Sequence, residues 1–280
     1  MSSFLQVSDV IKKSYETFGV FGGEKPILIP TGIEGIDRNM GGMLPGTLWF
    51  LGARTNCGKS STMLNMAHAA ASAGHRVLFV SGEDPAALVG GKYQSRYSGI
   101  PTIDLCRDGH AFAGLKGVRD AIEKSKELPL MMAFPPVRSL PAILRTLDDA
   151  IKQFKPEVIF YDYLTTIRST GSKASPREFY TEVIAELRDF ALRNQVPVMC
   201  GSQITRRQGE NGDHYEISMR ELAETGNIEN FADVVILMWR DDEGQRYLRI
   251  AKNKIAGHYM PRLKCFFDFK TEIMTTEEMT

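Results

Sequence analysis

One stretch decides the fold of this 280-residue chain: Thr47-Leu-Trp-Phe-Leu-Gly-Ala-Arg-Thr-Asn-Cys-Gly-Lys-Ser60. An apolar strand over 47–51 leads into a loop that ends in Gly58 and Lys59, and a helical pattern follows to about Ser72. This order of strand, loop and helix predicts a P-loop, whose backbone N–H groups and helix N-terminus bind phosphate oxygens.

The residue types of the loop point to ATP and Mg²⁺ as cofactors. Lys59 is predicted to contact the β- and γ-phosphates, and the Ser60 hydroxyl is predicted to hold Mg²⁺. Ala53 stands where the usual pattern has its first glycine. An alternative interpretation is a helix start that binds no ligand. The predicted nucleotide-binding residues of this stretch are Ala53, Arg54, Thr55, Asn56, Cys57, Gly58, Lys59, Ser60 and Ser61.

Strands and helices alternate on both sides of this stretch. Continuous apolar strands separated by helices predict an α/β fold, with a mostly parallel sheet covered by helices on both faces. Antiparallel strands over 247–251 and 262–269 are predicted to close one edge. The other predicted strands are 76–81, 130–134, 158–162, 196–201 and 234–239. The predicted helices are 8–18 with Ser8 as N-cap, 85–97, 139–154, and 175–194 with a capping box.

Composition narrows the class of protein. Hydrophobic residues make up 43% of the chain, charged residues 24%, and the formal net charge is zero. These values exclude a disordered polyelectrolyte and a uniformly basic coat protein. The cysteines and histidines lack metal-ligand spacing, which argues against a zinc site. The sequence shows neither a secretory signal nor an apolar run long enough to span a membrane, so we expect a cytoplasmic protein.

Polar residues follow three of the predicted strands, at the edge of the sheet where the P-loop also lies. Asp162 ends strand 158–162 and is predicted to be the acid associated with Mg²⁺. Glu83 follows strand 76–81 and is predicted to activate the attacking water. Gln203 follows strand 196–201 and is predicted to sense the γ-phosphate. The alternatives are a strand-end turn, a helix-capping acid and an ordinary loop residue, respectively.

Several short strings resemble the C-terminal motor domain of DnaB-type replicative helicases, which are RecA-like P-loop ATPases. The resemblance covers roughly residues 5–273. Its strings are Pro30-Thr-Gly-Ile, Gly41-Gly-Met-Leu-Pro-Gly46, the P-loop with Ala53, Ser81-Gly-Glu83, Asp162-Tyr-Leu164, Val196-Pro-Val to Gln203, Glu224-Thr-Gly-Asn-Ile-Glu229 and Trp239-Arg240-Asp241.

The resemblance implies roles for particular residues. It agrees with the roles given above for the P-loop and its acids, and it places Arg240 against the nucleotide base. Lys252 and Lys254 match two basic positions that reach into the neighbouring protomer's ATP site. The family usually has an arginine finger where this chain has Lys254, and lysine lacks the planar fork of arginine. Lys254 is then a weaker finger, or Arg249 or Arg262 serves instead.

The resemblance also implies an assembly. Helix 8–18 matches the family's linker helix, which packs on the adjacent protomer of a hexameric ring. We therefore predict a linker segment over 1–26 and a motor domain over 27–280. The sequence lacks the family's N-terminal collar or fused primase, which puts primase recruitment and the usual loading route in doubt and suggests a compact protein of phage type.

Two loops that follow predicted catalytic strands are candidates for binding single-stranded DNA. One runs from 168 to 177 and the other from 205 to 218, and both combine glycine with cations. A solvated loop without a ligand is the alternative for each. The predicted nucleic-acid contacts are Arg168, Lys173, Arg206 and Arg207.

Taken together, these features predict an ATP-driven helicase motor of DNA replication that translocates on single-stranded DNA. Primase or other replication proteins are possible partners. Two alternatives remain at the level of sequence. One is a RecA-like recombination or repair ATPase that forms filaments. The other is an ATP-gated regulatory subunit that assembles on another helicase.

Overall fold

A single sheet organises the chain. The computed structural model describes residues 5–19, 27–169, 174–204, 216–222, 227–257, 262–268 and 270–279. The strands are β1 Leu48–Ala53, β2 Val77–Ser81, β3 Leu130–Ala133, β4 Val158–Asp162, β5 Val198–Gln203, β6 Val234–Arg240, β7 Arg246–Asn253, β8 Arg262–Asp268 and β9 Ile273–Glu278. They form a nine-stranded sheet in the order β3-β2-β4-β5-β1-β6-β7-β8-β9.

Helices surround this sheet. They are α1 Val7–Phe18, α2 Glu34–Met40, α3 Lys59–Ser72, α4 Ala86–Ser98, α5 Thr102–Phe112, α6 Lys116–Lys126, α7 Leu140–Gln153, α8 Pro176–Asn194, α9 Met219–Leu222 and α10 Ile228–Phe231. A short 3₁₀ helix spans Leu164–Thr166. The predicted strands and long helices are confirmed within a few residues, whereas α2, α5, α6, α9, α10, the 3₁₀ helix and β9 were not predicted.

The sheet is parallel from β3 through β6 and antiparallel from β6 to β9. The predicted α/β class with an antiparallel edge is thus confirmed. Strand β1 lies in the middle and is buried along its whole length. Parallel strands of this kind direct their carboxyl ends to one edge of the sheet, and that edge holds the site described below.

Alternating side chains of β1 build two cores, one on each face of the sheet. Trp49 and Leu51 pack in a cluster that includes Met63 of α3. Leu48 and Phe50 pack on the opposite face in a cluster that includes residues of α7 and α8. A strand buried on both faces explains the unbroken apolar run in the sequence.

The starts of two helices test the capping predictions. Ser175 and Glu178 form the predicted capping box at the start of α8. The prediction of Ser8 as N-cap of the first helix is wrong, because α1 begins earlier. Its N-cap is Gln6, whose carbonyl oxygen accepts hydrogen bonds from the N–H groups of Asp9 and Val10.

Helix α1 shows an apolar stripe that its own chain leaves exposed. No residue of α1 is buried. The large exposed side chains at this end of the chain are Leu5, Val7, Val10, Ile11, Tyr15 and Phe18. A short helix of this kind is marginal in water unless its stripe packs against another surface. Across the described part of the chain, no helix combines the length and the apolar character needed to cross a membrane.

Candidate nucleotide-binding site

The loop between β1 and α3 has the backbone that phosphate binding requires. Gly58 is the N-cap residue of α3 and has a φ of 99°, a conformation that L side chains rarely adopt. A Cβ on Gly58 would also lie 3.1 Å from the Phe267 ring. Glycine is therefore required immediately before Lys59, where the helix N-terminus opens toward a cavity.

This cavity has a volume of about 250 Å³ and lies at the carboxyl edge of the sheet. Strand register explains why distant segments meet here, since Ala53 pairs with Gln203 and Ser81 pairs with Asp162. The lining residues are Ala53, Arg54, Thr55, Asn56, Gly58, Lys59, Ser60, Ser61, Glu83, Asp84, Lys92 and Gln203. The structure thus brings together most of the predicted P-loop with Glu83 and Gln203.

An ion pair joins the P-loop lysine to the predicted metal-associated acid. The Lys59 ammonium binds the Asp162 carboxylate, and both side chains are buried. The ammonium also lies 4.1 Å from the centre of the Tyr163 ring. A buried cation and a buried anion are each costly alone, so each stabilises the other in this position.

Glu83 lies at the cavity with an exposed side chain. Partial desolvation raises its pKa above the usual value; Lys59 opposes this effect, and Asp162 and Asp84 add to it. A carboxylate with a raised pKa is a stronger base, which suits proton abstraction from water.

Lys92 is a cavity residue that the sequence analysis missed. It lies on α4, and its ammonium is 2.8 Å from the Asp84 carboxylate. Both side chains are largely buried, with 16% and 21% of their area exposed, respectively. The signal in the sequence was a lysine eight residues after an acid that lies between β2 and α4.

Two polar contacts connect the P-loop to neighbouring segments. The Gln203 amide donates a hydrogen bond to the Thr55 hydroxyl at 2.7 Å. Although Arg54 borders the cavity, its guanidinium forms a buried ion pair with Glu221 of α9 at 3.1 Å. Glu221 also accepts a hydrogen bond from the N–H group of Ser218. No sequence pattern indicated this pair.

A basic and an aromatic side chain, Arg246 and Phe267, lie beside the P-loop. The Arg246 guanidinium donates to the Cys57 carbonyl at 3.0 Å and lies 5.3 Å from the centre of the Phe267 ring. Burial lowers the pKa of Arg246, as does the nearby charge of Arg240. The structure therefore places Arg240, which is predicted to contact the nucleotide base, close to Arg246, its cross-strand neighbour on β7.

The two lysines at the end of β7 differ in their surroundings. The Lys252 ammonium donates hydrogen bonds of 2.6 Å to the carbonyls of Glu229 and Ala232 at the end of α10. The Lys254 side chain is 68% exposed, and its ammonium lies 3.7 Å from Asp233. Lys254 is thus the more available of the two for a neighbouring molecule.

The two arginines considered as substitutes for an arginine finger both bind one acid. Glu216 forms ion pairs with Arg249 and Arg262. Arg249 also donates to the carbonyl of Ile217. These bonds hold both arginines to residues 216–217.

Of the predicted nucleic-acid contacts, Arg168 is exposed just after the 3₁₀ helix. Its N–H group donates a 2.7 Å hydrogen bond to the Arg138 carbonyl. Lys173, Arg206 and Arg207 lie outside the described residues. The DNA contacts at those three positions remain predictions.

The fold and the site define a RecA-like P-loop nucleotide-binding domain. Residues 29–260 match the family model described as DnaB-like helicase C terminal domain. The chain belongs to this family.

Sequence relatives agree with this assignment. The chain is 27% identical over 231 residues to the replicative DNA helicase DnaB of Helicobacter pylori strain 26695, covering 81% of this chain and 46% of that protein. It is 27% identical over 255 residues to the replicative DNA helicase DnaC of Bacillus subtilis, covering 86% of this chain and 54% of that protein. The chain thus spans about half the length of these relatives.

Two solved structures share the fold. A solved ATPase domain superimposes with a TM-score of 0.83 at 18% identity, covering 98% of this chain and 99% of that one. A DnaB-like replicative helicase, described with its interactions with primase, gives a TM-score of 0.83 at 18% identity over 96% of this chain and 68% of that one. At this identity, the likeness concerns the fold alone.

Proposed function

We propose that the chain is the ATP-driven motor of a replicative DNA helicase, with a linker segment over 1–26 and a motor domain over 27–280. The observation that carries the proposal is the cavity lined by the P-loop, Glu83 and Gln203, in which Lys59 is paired with Asp162 behind the lining. These groups are the set that phosphoryl transfer from ATP to water needs.

Each side chain has a defined part in hydrolysis. Lys59 leaves Asp162 in part and contacts the β- and γ-phosphate oxygens. Glu83 takes a proton from water as the water oxygen attacks the γ-phosphorus. The bond from that phosphorus to the bridging oxygen breaks, and ADP leaves. The Gln203 amide exchanges its Thr55 partner for a γ-phosphate oxygen, so its position depends on the nucleotide.

The same residues fit Mg²⁺. Within the described ranges, no group of three or more His, Cys, Asp or Glu side chains is arranged to hold a metal ion. Mg²⁺ needs no such group, since it usually binds one or two protein oxygens together with phosphates and water. The Ser60 hydroxyl would hold it directly, and Asp162 would hold its water. When bound, the ion neutralises charge on the phosphates.

A ring of identical chains would give partner surfaces to the exposed apolar stripe of α1 and to the exposed Lys254. The apolar stripe of α1 needs a partner surface, and α4, α5 and α6 enclose an apolar groove of about 660 Å³. Packing of α1 into the groove of the next copy is a head-to-tail contact, which closes into a ring, proposed to be a hexamer, if the rotation permits. Lys254 would then act on the ATP of the neighbouring copy.

Single-stranded DNA would pass through this ring. Arg168 with Lys173, and Arg206 with Arg207, are proposed to contact its phosphates. The site of action is the cytoplasm, of a bacterium or of a phage-infected host. Primase or another replication protein would load or accompany the ring.

The deciding experiment measures steady-state ATP hydrolysis with and without single-stranded DNA, with Glu83→Gln as control. We expect DNA to raise the rate of the parent chain. We expect the rate of Glu83→Gln with DNA to be lower than that of the parent by about 100-fold or more, the usual scale for a general base. A rate indifferent to DNA would favour the regulatory-subunit alternative. Filaments instead of rings in electron micrographs would favour the recombinase alternative.

A further inference from the structure

One arginine that the proposed mechanism does not use touches two functional segments. Arg138 lies in the connection between β3 and α7 and is partly buried. Its guanidinium donates a hydrogen bond to the Gly82 carbonyl. Its own carbonyl accepts a 2.7 Å hydrogen bond from the N–H group of Arg168. A parallel β-bridge between Ser139 and Arg168 reinforces the second contact.

The first of these contacts bears on Glu83, because the Gly82 carbonyl belongs to the peptide unit that enters Glu83. The Gly82 N–H group is also fixed, since it donates a 2.7 Å hydrogen bond to the Asp162 carbonyl. Arg138 and Asp162 thus bond to the two peptide groups on either side of the Gly82 Cα. The backbone orientation of Glu83 depends on both contacts.

The 3₁₀ helix that leads to Arg168, near the start of the predicted DNA-binding loop, also packs against Gly82. Gly82 packs against Thr166 so closely that a Cβ at position 82 would lie 2.2 Å from the Thr166 hydroxyl. Thr166 ends the 3₁₀ helix two residues before Arg168, and its hydroxyl lies 3.0 Å from that of Tyr161. The 3₁₀ helix therefore cannot move toward Gly82 without displacing it.

We propose that Arg138 is a positioning residue that couples contact of DNA with Arg168 to the placement of Glu83. The inference rests on the proposed function, because it assumes that Glu83 activates water. A phosphate drawn to Arg168 moves the backbone bonded to the Arg138 carbonyl. The Arg138 side chain passes this displacement to the Gly82 carbonyl and so to Glu83. Hydrolysis then becomes fast only when DNA is bound.

Arginine suits this position because it joins two backbone segments with different parts of one residue. Its guanidinium is always charged and presents several N–H donors in a fixed plane. Lysine retains the charge and one reachable donor, so it should restore part of the coupling. Alanine keeps the backbone contact with Arg168 and removes only the contact with Gly82.

The test compares Arg138→Ala and Arg138→Lys with the parent chain, and with Arg145→Ala as a matched control. Arg145 is an exposed arginine on the adjoining helix α7. For each protein we would measure kcat and KM for ATP with and without oligo(dT), the affinity for oligo(dT) by fluorescence anisotropy, and the melting temperature.

For Arg138→Ala we expect the kcat measured with oligo(dT) to fall by about 10- to 100-fold, the scale of a catalytic group displaced by about 1 Å. The KM for ATP and the affinity for oligo(dT) should stay near the parent values. Arg138→Lys should recover part of the lost kcat, and Arg145→Ala should match the parent.

The outcomes separate this inference from the proposed function. A folded Arg138→Ala variant that keeps the parent's stimulation by DNA overturns the coupling and leaves the motor proposal standing. A parent that hydrolyses ATP equally with and without DNA also overturns the coupling. A parent without ATP hydrolysis overturns the proposed function itself. If Arg138→Ala does not fold, Arg138→Met is measured instead, because methionine keeps an unbranched side chain and removes every N–H donor. Normal stimulation by DNA in that variant would contradict the proposal.

Discussion

The buried ion pair between Arg54 and Glu221 predicts a large loss of stability when its charge balance is broken. Arg54 is 6% and Glu221 is 3% exposed at the side chain, and the pair is 3.1 Å long. Glu221→Gln keeps the size of the side chain but only one of the two acceptor oxygens that contact Arg54 and Ser218, and it removes the negative charge that faces the Arg54 guanidinium.

The magnitude follows from this burial. Removing one partner of a buried pair costs about 3–5 kcal/mol, and we expect the lower end because the glutamine oxygen can still accept hydrogen bonds. For a chain of this size, each kcal/mol lowers the melting temperature by about 2 °C or somewhat more. Glu221→Gln should therefore melt about 6 °C or more below the parent chain.

The assay is thermal unfolding followed by circular dichroism, without nucleotide and at one fixed protein concentration. Glu278→Gln is the matched control, because it removes the same charge from an exposed pair with Arg38, in which the side chains are 57% and 36% exposed. Exposed pairs contribute about 0–1 kcal/mol, so the control should melt within about 2 °C of the parent. Equal melting temperatures for the two variants would refute the reasoning.

Three further predictions concern the site. Lys59→Ala should abolish ATP hydrolysis and also lower the melting temperature, since Asp162 loses its buried partner; turnover at the parent rate would exclude the assigned site. Desolvation raises the pKa of Glu83 and the charge of Lys92 opposes it, so Lys92→Ala should move the acidic limb of kcat to higher pH. A limb that stays in place would show that the charge of Lys92 does not act on the catalytic base. Lys254→Ala should bind ATP without hydrolysing it, and mixing it with Glu83→Gln subunits should restore some turnover; no recovery would count against action between subunits.

The central part of the fold could be predicted because its signals are local. The strand and loop before Lys59 carry apolar continuity and a glycine in adjacent residues. The missed elements lack such signals. Helices α5 and α6 contribute little to the core, since α5 has no buried residue and α6 has one. Strand β9 lies at the edge of the sheet and is partly exposed along its length.

The residues of the candidate site also fall into those that local sequence signals predict and those that they do not. Asp162, Glu83 and Gln203 could be predicted because parallel strands end at a common edge, so a position in the sequence fixes a position in the fold. The ion pair of Arg54 with Glu221 joins residues far apart in the chain, and sequence periodicity carries no information on such contacts. The hydrogen bonds of Lys252 to the carbonyls of α10 were unpredictable for the same reason.

Loss of the Arg54–Glu221 ion pair and loss of the Arg138–Gly82 hydrogen bond are expected to have different effects. Arg54 and Glu221 carry full opposite charges and are buried, so breaking their ion pair lowers stability whether or not a ligand is bound. Arg138 is only partly buried and bonds to an uncharged carbonyl, so its loss costs little stability and acts on the position of Glu83. Combining Glu221→Gln with Arg138→Ala should therefore give the melting temperature of the first variant and the DNA response of the second. A larger loss in either quantity would mean that the two contacts belong to one coupled network.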